Sequence, residues 1–193
     1  AGTVWLGGTE VTALPLHKRA RLGLGRTFQT SNLFPGLDVL ENVRLAVQSR
    51  LGGAASLWRF PRRNDEASEL AVRYLDEVDL GHRHRSVAGD LSHGDKRKLE
   101  IAVLLGMQPR VVLLDEPMAG VATADVSGLT AVIRRLHREL GCTVLMVEHH
   151  IDVVLGLVDT VAVMHHGELL AWDKPDAVIA DPEVQRAYLG DVA

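Results

Sequence analysis

The sequence has one cysteine, no long apolar run and no excess of positive charge, and each absence excludes a class of protein. Cys142 has no second cysteine to pair with, so an internal disulfide is excluded and a reduced, cytosolic setting is favoured. The longest apolar stretches, such as Val111–Leu114 and Val161–Met164, have the length of strands and are too short to span a bilayer. The net charge of −4 argues against nucleic acid as a partner, because nucleic-acid binders usually present a basic face.

A start methionine and a clear metal pattern are also missing. The chain begins at Ala1, shows no signal peptide and opens on a strand pattern, which indicates a trimmed or partial chain. The histidine pairs His149–His150 and His165–His166 lack the cysteine or carboxylate spacing of a zinc site, so metal binding there is the less favoured interpretation. With 193 residues, of which 47% are hydrophobic, the chain is long enough for one sizeable core.

The first half of the chain is patterned as short strands followed by helices. Gly7–Gly8 lies between short apolar stretches and predicts a hairpin. Pro15 begins a short polar helix that ends before Gly23, and Leu24–Phe28 predicts a strand. From Leu37 to about Leu105 the apolar residues recur mostly at helical spacing, with a polar loop predicted over Gly81–Gly89.

The second half alternates between strand and helix. Continuous apolar runs favour strands that are covered on both faces. The predicted elements are, in order, a strand at Val111–Leu114, a helix at Thr123–Leu140, a strand at Thr143–Val147, a helix at Ile151–Leu157, a strand at Thr160–Met164, a strand at Glu168–Trp172 and a helix at Pro175–Leu189. The first three strands of this series predict one parallel α/β layer with right-handed connections.

Two carboxylates, Asp115 and Glu116, follow the strand Val111–Leu114 at its carboxyl end. Ligands of open α/β sheets bind at this end of the strands. One carboxylate can hold Mg²⁺ and the other can accept a proton from an attacking water. The alternative is an ordinary strand end followed by a turn, and the local pattern divides the two interpretations about evenly.

Three further positions are weak signals when each is taken alone. Ser92 is a suitable N-cap, and Gly94 would let an anion approach the start of the following helix, although a simple helix cap is the preferred local interpretation. Gln29 follows a short strand, and His149 follows the strand Thr143–Val147. Either residue alone is more often structural than catalytic.

Taken together in their order, these signals resemble the nucleotide-binding subunits of ATP-binding cassette (ABC) transporters over essentially the whole chain. Arg26–Gln29 resembles the Q-loop, Leu91–Asp95 the signature motif, Val111–Pro117 the Walker B motif, Met118–Asp125 the D-loop and Val147–His149 the switch-histidine loop. A closer similarity is to importers of hydrophobic amino acids, carried by Phe28–Leu37, Val39–Val43, Leu99–Ala102, Asp181–Val184 and Ala187–Gly190. That group includes importers of branched-chain amino acids, which we favour, and of urea and short amides.

The resemblance implies a partial P-loop NTPase (RecA-like) α/β core with a parallel sheet and an inserted α-helical signature subdomain. Residues 1–31 would form part of the core, with an antiparallel edge and the Q-loop. Residues 32–98 would form the helical subdomain and end in the signature motif. Residues 99–193 would return to the core with the Walker B motif, the D-loop, the switch histidine and a C-terminal helix.

The resemblance also implies that ATP and Mg²⁺ bind, and it assigns roles to six residues. Glu116 would orient and deprotonate the attacking water, and His149 would contact the γ-phosphate. Asp115 and Gln29 would hold Mg²⁺, partly through water, and both belong to the nucleotide site. Ser92 and Gly94 would cap the γ-phosphate of an ATP held by a second subunit.

The phosphate-binding loop of the family is missing from these 193 residues. That loop, Walker A, reads Gly-x-x-x-x-Gly-Lys-Ser/Thr, and no lysine of this chain follows a glycine. The chain as given is therefore expected not to hydrolyse ATP. Smaller departures from the family pattern are His93 and Asp95 in the signature motif and His150 after the switch histidine.

The implied partners are integral-membrane permease subunits, a second ABC ATPase subunit and, indirectly, a periplasmic or extracellular solute-binding protein. The implied location is the cytoplasmic face of the membrane, as a peripheral subunit. Alternatives are a soluble ABC ATPase of translation or DNA repair, a cassette that has lost ATP, and an α/β domain of unknown role.

Overall fold

The computed structural model describes residues 2–27, 33–52 and 66–189 of the chain. The chain divides into two compact units, Ala1–Val147 and Glu148–Ala193, and each is described by itself below. The predicted domain boundaries at residues 31/32 and 98/99 stay a prediction. Of the helices in the described part, none combines the length and the apolar character needed to cross a bilayer.

The first unit opens with the predicted hairpin. Strands β1 (Trp5–Leu6) and β2 (Thr9–Glu10) pair antiparallel across a tight turn. Gly7 and Gly8 form that turn with φ of 54° and 81°, a conformation that glycine adopts without steric cost. Helix α1 (Leu16–Arg21) and strand β3 (Leu24–Arg26) follow, as predicted.

Three helices form the next part of this unit, which confirms the helical stretch predicted from periodicity. They are α2 (Val39–Arg50), α3 (Glu66–Glu77) and α4 (His93–Gly106). Asp38 caps α2 by accepting the N–H of Glu41 at 2.7 Å. Val43, Leu75 and Leu99, one from each helix, are fully buried and contribute to a shared apolar core. Two 3₁₀ turns, Gly81–Arg83 and Ala88–Asp90, lie between α3 and α4, and the second extends one residue beyond the loop predicted over Gly81–Gly89.

A parallel sheet completes the first unit. Strand β4 (Val111–Asp115) lies between β3 and strand β5 (Thr143–Val147), and both pairings are parallel. Helix α5 (Thr123–Arg138) connects β4 to β5 and buries the apolar stripe that includes Leu129 and Leu136. The parallel arrangement predicted for the strands at Val111–Leu114 and Thr143–Val147 is confirmed.

The second unit contains helix α6 (Ile151–Leu157), strands β6 (Val161–His165) and β7 (Glu168–Asp173), and helices α7 (Pro175–Ala180) and α8 (Pro182–Leu189). β6 pairs antiparallel with β7, and the prediction that the strand at Thr160–Met164 joins the parallel layer stays a prediction. His166 and Gly167 both have positive φ, and the tight turn that they make returns the chain beside β6.

The C-terminal segment differs from its prediction in one respect. The segment Pro175–Leu189, which was predicted to be helical, forms two helices that are separated at Asp181. Asp181 is extended, with ψ of 119°, since a residue that precedes proline is driven out of the helical region by Pro182. The Asp181 carboxylate then accepts the N–H of Glu183 at 2.8 Å and begins the next helix.

Candidate functional site

The carboxyl end of β4 carries the two predicted carboxylates, Asp115 and Glu116. Asp115 is the last residue of β4 and lies opposite Val147, the last residue of β5. β3, the other neighbour, ends at Arg26. Because the strands are parallel, the carboxyl ends of β3, β4 and β5 meet at one edge of the sheet, where ligands of such sheets bind. Asp115 and Glu116 are partly exposed there.

Asp115 is held by the last residue of β3 and by the residue that follows it. The Arg26 guanidinium nitrogen Nη2 lies 3.2 Å from Asp115 Oδ2, and the Asp115 N–H donates to Thr27 Oγ1 at 3.4 Å. The Arg26 side chain is half exposed, so this ion pair contributes at most about 1 kcal/mol to stability. The sequence pattern placed Arg26 and Thr27 in the Q-loop resemblance but gave neither residue a role of its own.

Glu116 has an unusual backbone. Its φ is +45°, in the left-handed region that costs an L-residue about 1–2 kcal/mol. The Glu116 N–H donates to the Val147 carbonyl at 2.9 Å, and the Glu116 carbonyl accepts the N–H of Ala119 at 3.0 Å. These bonds hold the sharp turn that directly follows β4. Strained backbone of this kind concentrates at functional sites, where a particular side chain is needed in spite of its cost.

The N-terminus of α4 shows a structural role for both residues that were predicted to contact phosphate. Ser92 is the N-cap, because its Oγ accepts the N–H of Asp95 at 3.1 Å. Gly94 is buried, and a Cβ at this position would lie 3.1 Å from Cβ and Oδ2 of Asp125 in α5. Close packing on α5 therefore already explains the glycine. A phosphate role for these two residues is additional to this and stays a prediction.

His93 and Asp95, which depart from the family pattern of the signature motif, each contact another residue of the chain. The His93 ring lies over Gly120, since a Cβ on Gly120 would be 3.0 Å from Cδ2 and Nε2 of that ring. The carboxylate of Asp95 lies 3.6 Å from Nε of Arg83. This cation offsets part of the negative charge that Asp95 adds to the helix start. The signature segment thus packs on the loop that follows β4 in the same chain.

The structure brings some of the predicted site residues together in pairs. Asp115 and Glu116 share one edge of the sheet, and Ser92 and Gly94 share one helix start. His149 belongs to the second unit, where its backbone N–H donates to Glu148 Oε2 at 3.0 Å. The prediction for Gln29 lies outside the described residues.

The single cysteine is no candidate for a catalytic nucleophile. Cys142 is buried, and its Sγ donates to the Pro109 carbonyl at 3.1 Å. Burial raises the pKa of the Cys142 thiol, which keeps it protonated and unreactive at neutral pH.

Comparison with known proteins gives concordant matches. A family model described as "ABC transporter" matches residues 1–119. The chain is 38% identical to the high-affinity branched-chain amino acid transport ATP-binding protein BraF of Pseudomonas aeruginosa, over 98% of this chain and 76% of that protein. It is 34% identical to LivG of Escherichia coli K12, a protein of the same description, with the same coverage. A solved structure, the ADP conformation of the ATP-binding cassette MJ1267, superposes with a TM-score of 0.81 at 29% identity, over 99% of this chain and 78% of that one.

Proposed function

The chain belongs to the ABC transporter family, and from that premise we propose that it supplies the Walker B, signature and switch-histidine motifs of the ATP-hydrolysing subunit of an importer of branched-chain amino acids. The family resemblance and the partial P-loop NTPase α/β core predicted from the sequence are confirmed. The observation that carries the proposal is the pair Asp115–Glu116 at the carboxyl end of the central strand β4. The names of the two relatives described above support the choice of branched-chain amino acids.

Glu116 is the proposed general base. Its carboxylate would orient the attacking water and accept a proton from it as the oxygen approaches the γ-phosphate. The hydrogen bonds from the Glu116 backbone to Val147 and Ala119 support this role, because they fix the turn that carries the side chain. A fixed base is useful since phosphoryl transfer is accelerated mainly by positioning and by charge neutralisation.

Asp115 is the proposed residue for Mg²⁺, assisted by Gln29. Carboxylate oxygens are the hard donors that Mg²⁺ prefers, and a partly exposed aspartate at a strand end suits an ion held through water. Bound Mg²⁺ would neutralise charge on the phosphate oxygens. Arg26 already pairs with Asp115 Oδ2, and we infer that it holds the carboxylate in place before the ion binds.

The remaining residues would act from other parts of the site. Ser92 and Gly94 stand at the start of α4, where N–H groups of the first turn have no partner within the helix and attract anions. In a head-to-tail pair of subunits they would cap the γ-phosphate of the ATP held by the other subunit. His149 would contact the γ-phosphate of the ATP held by its own subunit. Gln29 would also link the site to the membrane subunits.

The proposed partners follow from the same premise. Two ATPase subunits, identical or related, would bind to integral-membrane permease subunits at the cytoplasmic face of the membrane. The segment Leu33–Val47 would form the groove that receives a helix of the permease. A solute-binding protein would act indirectly, through the permease.

ATP hydrolysis tests the catalytic part of the proposal. The 193-residue chain, which has no Walker A sequence, is expected to show no hydrolysis above background. A form that carries such a loop upstream of Ala1 is expected to hydrolyse ATP, and Glu116→Gln in that form should lower kcat by about 10²–10⁴-fold while ATP still binds. Hydrolysis by the 193-residue chain that Glu116→Gln abolishes would contradict this account of the site.

Uptake tests the transport part separately. The form with the upstream loop is expected to co-purify with integral-membrane subunits and to support ATP-dependent uptake of labelled leucine into vesicles, with Glu116→Gln as the inactive control. Uptake of labelled urea in place of leucine would reassign the substrate. Failure to co-purify with any membrane protein would favour a soluble ABC ATPase.

A further inference from the structure

We propose that Glu148, His149 and His150 form a binding site for one divalent transition-metal ion of the zinc class. Each of the three residues offers one ligand atom, and these atoms all lie within 4.8 Å of one another. Within the described residues this is the one group of three such ligands that lie so close together. The site lies in three consecutive residues of the second unit. It shares His149 with the γ-phosphate contact proposed above, and its test therefore uses the chain without nucleotide.

Glu148 anchors the cluster. Its side chain is fully buried, and its Oε2 accepts the backbone N–H of His149 at 3.0 Å and of His150 at 3.2 Å. These two bonds hold the carboxylate oxygen in one position next to both rings. The sequence pattern lacks the usual carboxylate spacing of a zinc site, but the folded backbone turns Glu148 towards the histidines that follow it.

The two imidazoles complete the ligand set. Nδ1 of His150 lies 3.0 Å from Glu148 Oε2, and Nδ1 of His149 lies 3.9 Å from the same oxygen. In a tetrahedral zinc site with bonds of about 2.0–2.1 Å, neighbouring ligand atoms lie about 3.4 Å apart. The two observed distances fall on either side of that value, so ring movements of about half an ångström would bring each nitrogen to ligand spacing from the carboxylate oxygen.

The rings are accessible and already held on the same side. The side chains of His149 and His150 are 62% and 50% exposed, and the ring centroids are 4.3 Å apart with a tilt of 36°. An ion can therefore reach both nitrogens from solvent, and water can complete its coordination. Three protein ligands plus water is the composition of an open zinc site.

The metal would replace the hydrogen bond between His150 and Glu148. Because an ionised carboxylate only accepts, Nδ1 of His150 carries the proton of the bond to Glu148. On binding, the neutral ring would lose that proton to solvent and take one up at Nε2, and Nδ1 would give its lone pair to the ion. The chemistry selects Zn²⁺, Ni²⁺ or Cu²⁺ over Mg²⁺, because imidazole nitrogen is a preferred ligand of the first three.

A second histidine pair in the chain provides a matched control. His165 and His166 are also adjacent and exposed, with ring centroids 4.0 Å apart. They belong to no group of three close ligands in the part of the chain that the structure describes. If two neighbouring imidazoles were sufficient, both pairs would bind metal equally. The proposal requires that only the pair next to Glu148 does so with high affinity.

The test is metal binding by the full 193-residue chain without nucleotide, using calorimetry with Zn²⁺ and the visible spectrum of Co²⁺. We expect one Zn²⁺ per chain, and a Co²⁺ absorption band that Zn²⁺ removes. His150→Phe, His149→Phe and Glu148→Gln should each weaken binding at least about tenfold. The double variant His165→Ala/His166→Ala should bind like the original chain.

Each opposite result would overturn the proposal. Those results are the absence of saturable one-to-one Zn²⁺ binding, full binding in His150→Phe, or loss of binding in the double control variant. Circular dichroism of every variant separates loss of ligands from loss of fold. His150→Phe and His149→Phe change exposed rings only, so at least these two variants are expected to remain folded.

Discussion

The left-handed backbone at Glu116 leads to a stability prediction whose sign is opposite to that expected at an ordinary position. The perturbation is a pair of substitutions, Glu116→Ala and Glu116→Gly, which remove the same carboxylate. They differ only in whether a Cβ remains on a backbone with φ of +45°. The difference between the two variants therefore isolates the backbone term from any contact of the side chain.

The magnitude follows from two opposing effects. A Cβ in the left-handed region costs about 1–2 kcal/mol. Glycine loses more chain entropy on folding than alanine does, which costs about 0.5–1 kcal/mol. Glu116→Gly should thus be more stable than Glu116→Ala by about 0.75 kcal/mol, the difference between the midpoints of the two ranges. With a urea dependence of roughly 2 kcal/mol per molar, the unfolding midpoints should differ by about 0.3–0.5 M.

Urea unfolding followed by circular dichroism measures this difference, with two internal controls. Gln108 also has a positive φ, of 50°, so Gln108→Gly should likewise be more stable than Gln108→Ala. Ala131 is exposed on helix α5, and Ala131→Gly should lose about 1 kcal/mol. If Glu116→Ala is as stable as Glu116→Gly while both controls behave as expected, the strain argument for Glu116 is refuted.

Four further outcomes are expected. Ser92→Ala should lower the free energy of unfolding by about 1 kcal/mol, measured by urea unfolding, because it removes the N-cap of α4. Leu75→Ala, at a fully buried position, should cost about 2–5 kcal/mol in the same assay, and a cost below 1 kcal/mol would contradict the packing described for α3. Arg26→Ala should change stability by at most about 1 kcal/mol, because its ion pair is half exposed. The Cys142 thiol should react with a disulfide reagent far more slowly in the native than in the denatured chain. Burial raises the pKa of the Cys142 thiol in the folded chain. The protonated thiol therefore contributes fully to the free energy of unfolding below the pKa of the unfolded chain, and this contribution is lost as the pH rises through the pKa of the folded chain.

Local patterns in the sequence were sufficient for most of the elements. The apolar run of β4, the amphipathic stripe of α5 and the cap signal at Ser92 each predicted what the structure has. Their success has a physical cause, because periodicity and capping are decided by residues that are close in the chain. The break in the C-terminal helix was also readable, since Pro182 disfavours a helical Asp181.

Pairing between strands was harder to predict from the sequence. An apolar run such as Val161–Met164 predicts a strand whose faces are covered by other parts of the chain, but it does not predict which strand lies beside it. The turn at His166 and Gly167 decided that β6 pairs with β7. Where a turn this short separates two strands, the antiparallel neighbour is the nearest partner available.

The candidate site divides along the same line. The order and spacing of its motifs were sufficient to indicate the family and to select Asp115 and Glu116, because the chemistry of a carboxylate pair at a strand end depends on local sequence. Only the tertiary structure revealed that Arg26, 89 residues away in the chain, pairs with Asp115. It alone revealed the left-handed backbone of Glu116 and the turn that brings Glu148 beside two imidazoles. These features are decided by the register of parallel strands and by backbone angles, and neither quantity is specified by the local pattern of residue types.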